Sequence, residues 1–595
     1  MKDFQFGLKS NDVISRMFFS AAIAMIFSQV AGVVANIIDG VVTSRFFGPD
    51  SLSAISLVSP FVATIVLIAG FISTGSQVIC SSLVGEGKRE EANALFSLSI
   101  IMCLVGASVC VLLCIISPDL IFRTCGVTID SHPQFYTGMG EYLKGYMYGI
   151  PAVMLIQILG PFIVMDNGKV FFTASAFLLC ISDIIGDLAN AIFFHGGLFG
   201  MGMATTISFY IQLVFLLSYY FRKNCYFRFT FLGFHLKHLV DICRSGSPTL
   251  IRKLATVLRD LFISRINLSV ALAGSAVAAR AIQNDINTFM FCIGLGIGKA
   301  LLTMTGVYYS ANDKKGLKRL FSYSVMLSIT LSCAVGGILF VLAKAIAMFY
   351  TSDVEVIDFA SFAIRCLAIN LVLDTLLVAF QNYLQGIRQR LLVNAFNFGE
   401  RFFVPVFVAF IMGSFFGSKG VLASLAVGKA ILMLMIFVIV CVHKKGLPRS
   451  LEDFMFLPKD FGGKETDNIY ATMRTMEDVM LESKKAEEFC LAHNIDSKEA
   501  KHMAYFVEEM AGNVIAHGKP KGNGTAMVEY RLFANGERIC MTLRDYCNQF
   551  NPTDFYEAHN NDEIGKHSGI KLVMGMAKEI SYFNAFNSNN LIIYL

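Results

Sequence analysis

From residue 13 to residue 443 the chain is a succession of long apolar runs separated by short polar breaks. They fall at approximately 13–38, 55–80, 92–117, 140–164, 170–194, 199–221, 247–271, 277–308, 320–349, 358–385, 392–414 and 419–443. A hydrocarbon core of about 30 Å needs about 20 apolar residues of helix to cross it. Each run therefore predicts one span, and twelve spans predict that both ends of this region lie on one side. Beyond residue 446 the pattern changes. A stretch with two prolines and a Gly pair predicts a linker. Helical runs follow at 474–493 and 497–517, then two alternating segments, AMVEYRLFANG and RICMTLRDY, a helix near 569–578 and a closing strand, LIIYL. Helices laid on an antiparallel sheet predict an α+β sandwich, and about 130 residues are enough for one independent core.

The long basic segment from Phe221 to Gly246 divides the twelve spans into six and six. The halves repeat. Asp39 with Ser44-Arg45 recurs as Asp260 with Ser264-Arg265, and the run from Gly200 to Ala204 recurs as Gly420 to Ser424, both at an offset of about 220 residues. The expected organisation is a six-helix half over 1–221, a second over 222–446, a linker over 447–470 and a soluble domain over 471–595. Paired six-helix halves imply a transporter with its binding cavity where the halves meet.

Charge separates the same two parts. Residues 447–595 hold 16 Lys+Arg against 22 Asp+Glu, which leaves 33 against 22 in residues 1–446. Mean hydropathy is +0.60, and only 16% of residues are charged, far from the quarter usual in soluble proteins. The basic residues cluster in alternate loops: Lys88 and Arg89; Arg222, Lys223, Arg228, Lys237 and Arg244; Lys314, Lys315, Lys318 and Arg319; Arg388 and Arg390; Lys444 and Lys445. By the positive-inside rule these loops, both termini and the acidic tail are cytoplasmic. The acidic tail argues against nucleic acid as a partner. The 15 cysteines lie mostly inside apolar runs, without metal-site spacing, and read as small buried hydrophobes. The first apolar run has no cleavage site after it and reads as a retained span.

Ionisable residues at membrane depth are functional candidates because each costs a few kcal/mol there. Asp39 lies near the end of the first span. Asp183 and Asp187, four apart, share one face of the fifth. Their repulsion and desolvation ease when H⁺ or Na⁺ sits between them, as a cation-coupling site requires. Arg259, Asp260 and Arg265 read as an internal ion pair, and Glu400-Arg401 as a structural pair. In the tail, Glu509, Asn513 and His517 recur at i, i+4, i+8. A carboxylate that orients water and an amide that ligates Mg²⁺ suit a nucleoside triphosphate site. Asp545 ends a strand, and Gly565-Lys566-His567-Ser568-Gly569 opens a helix whose N–H groups favour phosphate.

The segments IIDGVVTSRFFGPDSLSAISLVSPF and STGSQVICSSLVGEGKREEANALF, answered in the second half by AARAIQND and GVYYSANDKKGLKRLF, resemble the multidrug and toxic-compound extrusion (MATE) family over residues 10–445. The resemblance implies antiport of organic, cationic compounds against H⁺ or Na⁺ at a multi-pass plasma-membrane location. Asp39 and Asp187 match the family's acids in the first and fifth helices; Asp183 departs from it, standing where Asn is common. Residues 495–595 resemble the GHKL ATPase superfamily, in particular its anti-sigma-factor serine kinase branch. That resemblance implies Mg-ATP as ligand, Glu509 as general base, Asn513 as Mg²⁺ ligand, Asp545 as adenine-recognition residue and Gly569 in the phosphate-covering loop. Cys547 and His567 stand where the family has glycine. A lipid-linked oligosaccharide flippase is one alternative, expected to show a cationic central cavity; a membrane sensor whose tail phosphorylates a Ser/Thr of a partner protein is another. No GxxxxGK[ST] loop is present, which argues against a primary ATP-driven pump.

Overall fold

The computed structural model describes residues 13–47, 49–86, 88–124, 133–222, 225–230, 236–269, 274–351, 353–458, 461–521, 525–535, 538–559, 568–585 and 588–595. The first half comprises α1 (Val13–Phe47), α2 (Pro49–Gly85), α3 (Arg89–Ile116), a short α4 (Pro118–Thr124), α5 (Pro133–Tyr146), α6 (Ile150–Met165), α7 (Lys169–Ala189) and α8 (Gly197–Ser218). A 3₁₀ turn, Met147–Gly149, joins α5 and α6 into one span. The second half comprises α9 (Leu236–Ser269), α10 (Gly274–Ser310), α11 (Lys314–Tyr350), α12 (Val354–Gly386), α13 (Arg390–Phe398) and α14 (Val404–Lys444).

Among the described residues, ten helical stretches are long and apolar enough to cross a bilayer. The last of them, Arg390–Lys444, is two spans in one. Gly417 sits at φ +57° inside it, a conformation that favours glycine. The chain folds back there, since Glu400 and Lys429 on either side of the turn are in contact. α9 carries too many charges to qualify by composition, yet it packs beside α2 and α13 as a full member of the bundle. The twelve helical spans expected from the apolar pattern are thus present. Helix starts recur between the halves at a nearly constant offset: Val13 and Leu236, Pro49 and Gly274, Arg89 and Lys314, Pro133 and Val354, Lys169 and Arg390.

The halves touch closely at the end that bears the basic loops. Gly75 and Gly246 bring the backbones of α2 and α9 together, and Gly85 does the same for α2 and α10 at Val307. A Cβ at any of these glycines would collide with main chain, so the seam depends on small residues.

Among the described residues the tail has five antiparallel strands in the order β1-β2-β3-β5-β4: β1 (Asn468–Met473), β2 (Val528–Asn535), β3 (Arg538–Asp545), β4 (Glu579–Ala585) and β5 (Ser588–Tyr594). Helices α15 (Met476–Ala492) and α16 (Ser497–His517) cover one face, and α17 (Pro552–His559) and α18 (Ser568–Met576) complete the domain. Alternation sorts the side chains. On β3, Ile539, Met541 and Leu543 join Val479, Phe506 and Val507 in the core beneath the helices. Cys540, on the opposite face, packs against the membrane bundle. β5 is buried along almost its whole length because both of its faces are covered: Leu591 and Ile593 by the helices, Ile592 by the bundle. Residues 447–470, read as a linker, carry a 3₁₀ turn at Leu451–Phe454, a fully buried Met455 and the first residues of β1.

Candidate functional site

Within the bundle, Asp183 and Asp187 are 7% and 1% exposed. They sit on α7, which packs on both α1 and α8. Asp39 projects from α1 and accepts a hydrogen bond from Thr43 Oγ1 one turn on, at 3.3 Å. The three carboxylates lie within electrostatic reach of one another and of the Tyr142 phenol. The hydroxyls of Ser208 and Thr205 on α8 face Asp183. One carboxylate oxygen of each α7 acid has no hydrogen-bond partner among the described residues. Just beyond, a π turn over Asn190–Phe194 ends α7, with the Asn190 amide bonded to Gly196 N and Gly197 O, both at 3.0 Å.

The second half holds a different cluster. Lys429 of α14 bridges Asp374 of α12 and Glu400, which stands in a π turn after α13. Gln381 donates to Glu400, and Arg401 Nε lies 3.2 Å from Glu400 Oε1. The Glu400-Arg401 pair expected from sequence is therefore part of a larger network of two acids and two bases. Of the expected ion pair at Arg259, Asp260 and Arg265, the side chains of Asp260 and Arg265 lie outside the described residues. Asp374 and Lys429 were not singled out in the sequence, although a charge inside an apolar run is the signal that finds them.

In the tail, Asn513 and Asp545 line one cavity of about 500 Å³ with His517, Cys547, Phe550, Ile570 and Leu591. Its volume and apolar lining suit a nucleobase with its sugar. The ladder explains the meeting: Asp545 follows Leu543 by two residues, so it shares the helix-facing side of β3 with Leu543, towards α16. Asn589 Nδ2 at 2.9 Å and Cys547 N at 2.8 Å both donate to Asp545 Oδ1. Burial, outweighing these bonds, pushes the Asp545 carboxyl above its ordinary value. Glu509 lies beside this cavity and accepts from Asn513 Nδ2 at 2.9 Å. Gly569 opens α18 directly against the Glu509 carboxyl, where a Cβ would collide with it. Gly565, Lys566 and His567 of the expected phosphate loop lie outside the described residues. Cys547, where a glycine was expected, lines the cavity without filling it.

The uncovered face of the sheet is seated on the bundle. Arg531 of β2 donates to the carbonyls of Ala311 at 2.7 Å and Asn312 at 2.9 Å, in the turn after α10. Arg544 of β3 faces Asp313 at 3.7 Å, and Arg319 of α11 faces Glu529 at 3.5 Å. Phe461 stacks on Tyr309, with centroids 5.1 Å apart. On the side of the first half, Phe583 meets Tyr226 edge-on. Tyr226 is in turn held by Asp166, whose carboxylate accepts its N–H at 3.0 Å. The sheet thus contacts the second half directly and, through Tyr226 in the segment that joins the halves, reaches Asp166 of the first.

The MatE family model matches residues 24–187 and 248–400, more than half of the chain, and the chain belongs to that family. A histidine kinase-like ATPase domain model matches residues 475–594, in agreement with the GHKL-type fold of the tail. The chain is similar to the probable multidrug resistance protein NorM of Photorhabdus laumondii, 24% identical over 67% of this chain and 85% of the relative. It is also similar to the multidrug export protein MepA of Staphylococcus haemolyticus, 23% identical over 69% of this chain and 91% of the relative. Among solved structures, an outward-facing multidrug resistance MATE family transporter of the MOP superfamily superposes with a TM-score of 0.66 at 19% identity, covering 71% of this chain and 94% of that one. The MATE transporter VcmN of Vibrio cholerae gives 0.66 at 15% identity, covering 71% and 95%. At such identities the structural likeness speaks for the fold alone.

Proposed function

We propose that the chain is a cation-coupled exporter of small organic molecules, loaded through Asp39, Asp183 and Asp187. The observation that carries this reading is the buried pair on α7, each acid keeping an oxygen without a partner among the described residues while a third carboxylate stands within electrostatic reach. Charged together, these acids repel in a medium that screens poorly; a cation taken from the medium removes the conflict, and its release restores it. Coupling follows if the loaded and unloaded acids favour different arrangements of the two halves. Protonation needs no ligand beyond the carboxyls themselves, so H⁺ is the cation carried in this proposal. In proteoliposomes with an imposed pH gradient, Asp187→Asn is expected to abolish proton-driven efflux of a dye substrate. Efflux at the wild-type rate would reject the role.

The tail, on the cytoplasmic side by the positive-inside rule, is a nucleotide-binding regulatory domain in this reading. Asp545 would recognise the base, Asn513 would ligate Mg²⁺, Glu509 would serve as general base, and Gly569 would lie beneath the phosphates. Bound Mg-ATP would supply a transferable phosphoryl group. Because the sheet lies at the end where the halves touch closely, seating the tail is expected to support that arrangement, and ligation at α16 and α18 is expected to alter it. Titration of the full chain with a fluorescent ATP analogue tests the site: Asp545→Asn is expected to weaken binding at least about tenfold, as loss of a charge-assisted hydrogen bond of 1.5–3 kcal/mol would. Equal binding by the two proteins would reject the assignment.

A further inference from the structure

The two halves meet along α1 against α10 and α2 against α9. The repeat offset pairs Gln29 of α1 with Arg252 of α9, each sixteen residues from its helix start, and Thr74 of α2 with Lys299 of α10, each twenty-five residues in. These four positions stand around the pseudo-twofold relation between the halves. Lys299 Nζ reaches across to Gln29 Oε1 at 3.4 Å. Thr74 Oγ1 lies 2.8 Å from Thr249 Oγ1, three residues before Arg252. Arg252 is within electrostatic reach of Lys299. The first half contributes an amide and a hydroxyl, and the second half contributes two cations.

Nothing described in the second half balances them. Arg252 also senses Asp374, Glu400 and Arg401, but those two acids are already matched by Lys429 and Arg401. The side chains of Asp260 on α9 and Asp285 on α10 lie outside the described residues; along the helix backbone they are eight residues from Arg252 and fourteen from Lys299, about 12 and 21 Å of rise at 1.5 Å per residue. Arg252 and Lys299 are largely enclosed by protein, and each keeps some accessible surface. Two uncompensated cations at membrane depth are costly, and at a repeat interface the natural compensation is the cargo.

We propose that Lys299 and Arg252 anchor an oxyanion, so that the exported molecule is an organic anion bearing a carboxylate or phosphate ester. This rests on the exporter reading and names its substrate class. Guanidinium and ammonium groups both bind such oxygens through charge-assisted hydrogen bonds. Proton loading of Asp39, Asp183 and Asp187 neutralises the acids of the first half, which leaves the space between the halves positive. The organic cations implied by the family resemblance would meet like charge at this ring.

The test is equilibrium binding to the purified full chain in detergent, read by fluorescence anisotropy. The probes are carboxyfluorescein as a soluble anion, a short-chain fluorescent phosphatidic acid as a lipid-linked one, and rhodamine 6G as a cation. At least one anion is expected to saturate, and which one does so identifies the source of the oxyanion. Lys299→Gln is expected to weaken that binding at least about tenfold, as truncating a buried charge pair does, while Lys299→Arg retains it. Gln29→Glu, which sets an acid against an intact Lys299, is expected to give the same loss and serves if Lys299→Gln does not fold. Failure of both anions to saturate, or anion binding unchanged in Lys299→Gln and Gln29→Glu, would overturn the proposal. Binding needs no gradient, so this result stands apart from the Asp187→Asn efflux test.

Discussion

Lys429→Met isolates what the charge network of the second half contributes. Lys429 contacts both Asp374 and Glu400, and the side chains of all three are less than 10% exposed. Methionine preserves the length of the side chain and removes the charge, leaving two carboxylates with Arg401 as the nearest base. Truncating one member of a buried ion pair costs about 3–5 kcal/mol, because the partner stays buried and uncompensated. From α9 to α14 the second half spans about 210 residues. For a unit of that size each kcal/mol lowers the melting temperature by about 2–4 °C, so a fall of roughly 6 °C or more is expected. A thiol-reactive fluorogenic maleimide is a suitable reporter: the chain has no Trp and 15 Cys, and most of the described ones are buried until the bundle opens. Adding Asp374→Asn removes the surplus acid while leaving the Glu400–Arg401 pair intact, and is expected to recover most of the loss, since neighbouring substitutions of this kind are not additive. If Lys429→Met melts within about 1 °C of wild type, the network is not the charge-balanced structural element described here. The count that leaves Arg252 and Lys299 unmatched would then fall with it.

Arg531→Ala removes two charge-assisted hydrogen bonds from the tail to the α10–α11 turn, each of the class that contributes about 1.5–3 kcal/mol. Amide hydrogen exchange in that turn and in β2 is expected to rise at least about tenfold, and unchanged protection would show that the sheet is not held there. Asp166, in the turn between α6 and α7, is pushed up to about 8, chiefly by burial and against the lowering effect of its Tyr226 N–H bond. The folded chain holds this proton more tightly than the unfolded chain, so the stabilisation is full below the ordinary value of 3.8 and is lost as pH rises to about 8. In thermal melts followed by light scattering, the advantage of Asp166→Asn over wild type is therefore expected to widen from pH 5 to pH 8 and to level off above it. A constant difference would show that Asp166 ionises as freely as in an unfolded chain.

Much of the architecture is local information. Twenty apolar residues in a row cross a bilayer whatever their neighbours are, so the twelve spans were legible, and the shared offset of Asp39 and Asp260 exposed the duplication. The i, i+4 spacing of Asp183 and Asp187 placed both on one helix face for the same reason. Elements whose identity depends on partners were not legible. β1, β4 and α17 are short and become recognisable only beside the rest of the sheet. Lys429, Asp374 and Glu400 lie on separate helices, and no spacing along the chain says that one lysine bridges both acids. Arg531 and Arg544 look like ordinary surface residues of β2 and β3 until the bundle covers their face. Gln29 and Lys299 are 270 residues apart; only packing brings them together. The sequence by itself determined the spans, the repeat and the two chemically distinct parts, because hydrophobic burial and helix periodicity act over a few residues. Which charges neutralise each other, and which remain for a cargo, was decided by tertiary structure, because electrostatic pairing depends on distance in space and not along the chain.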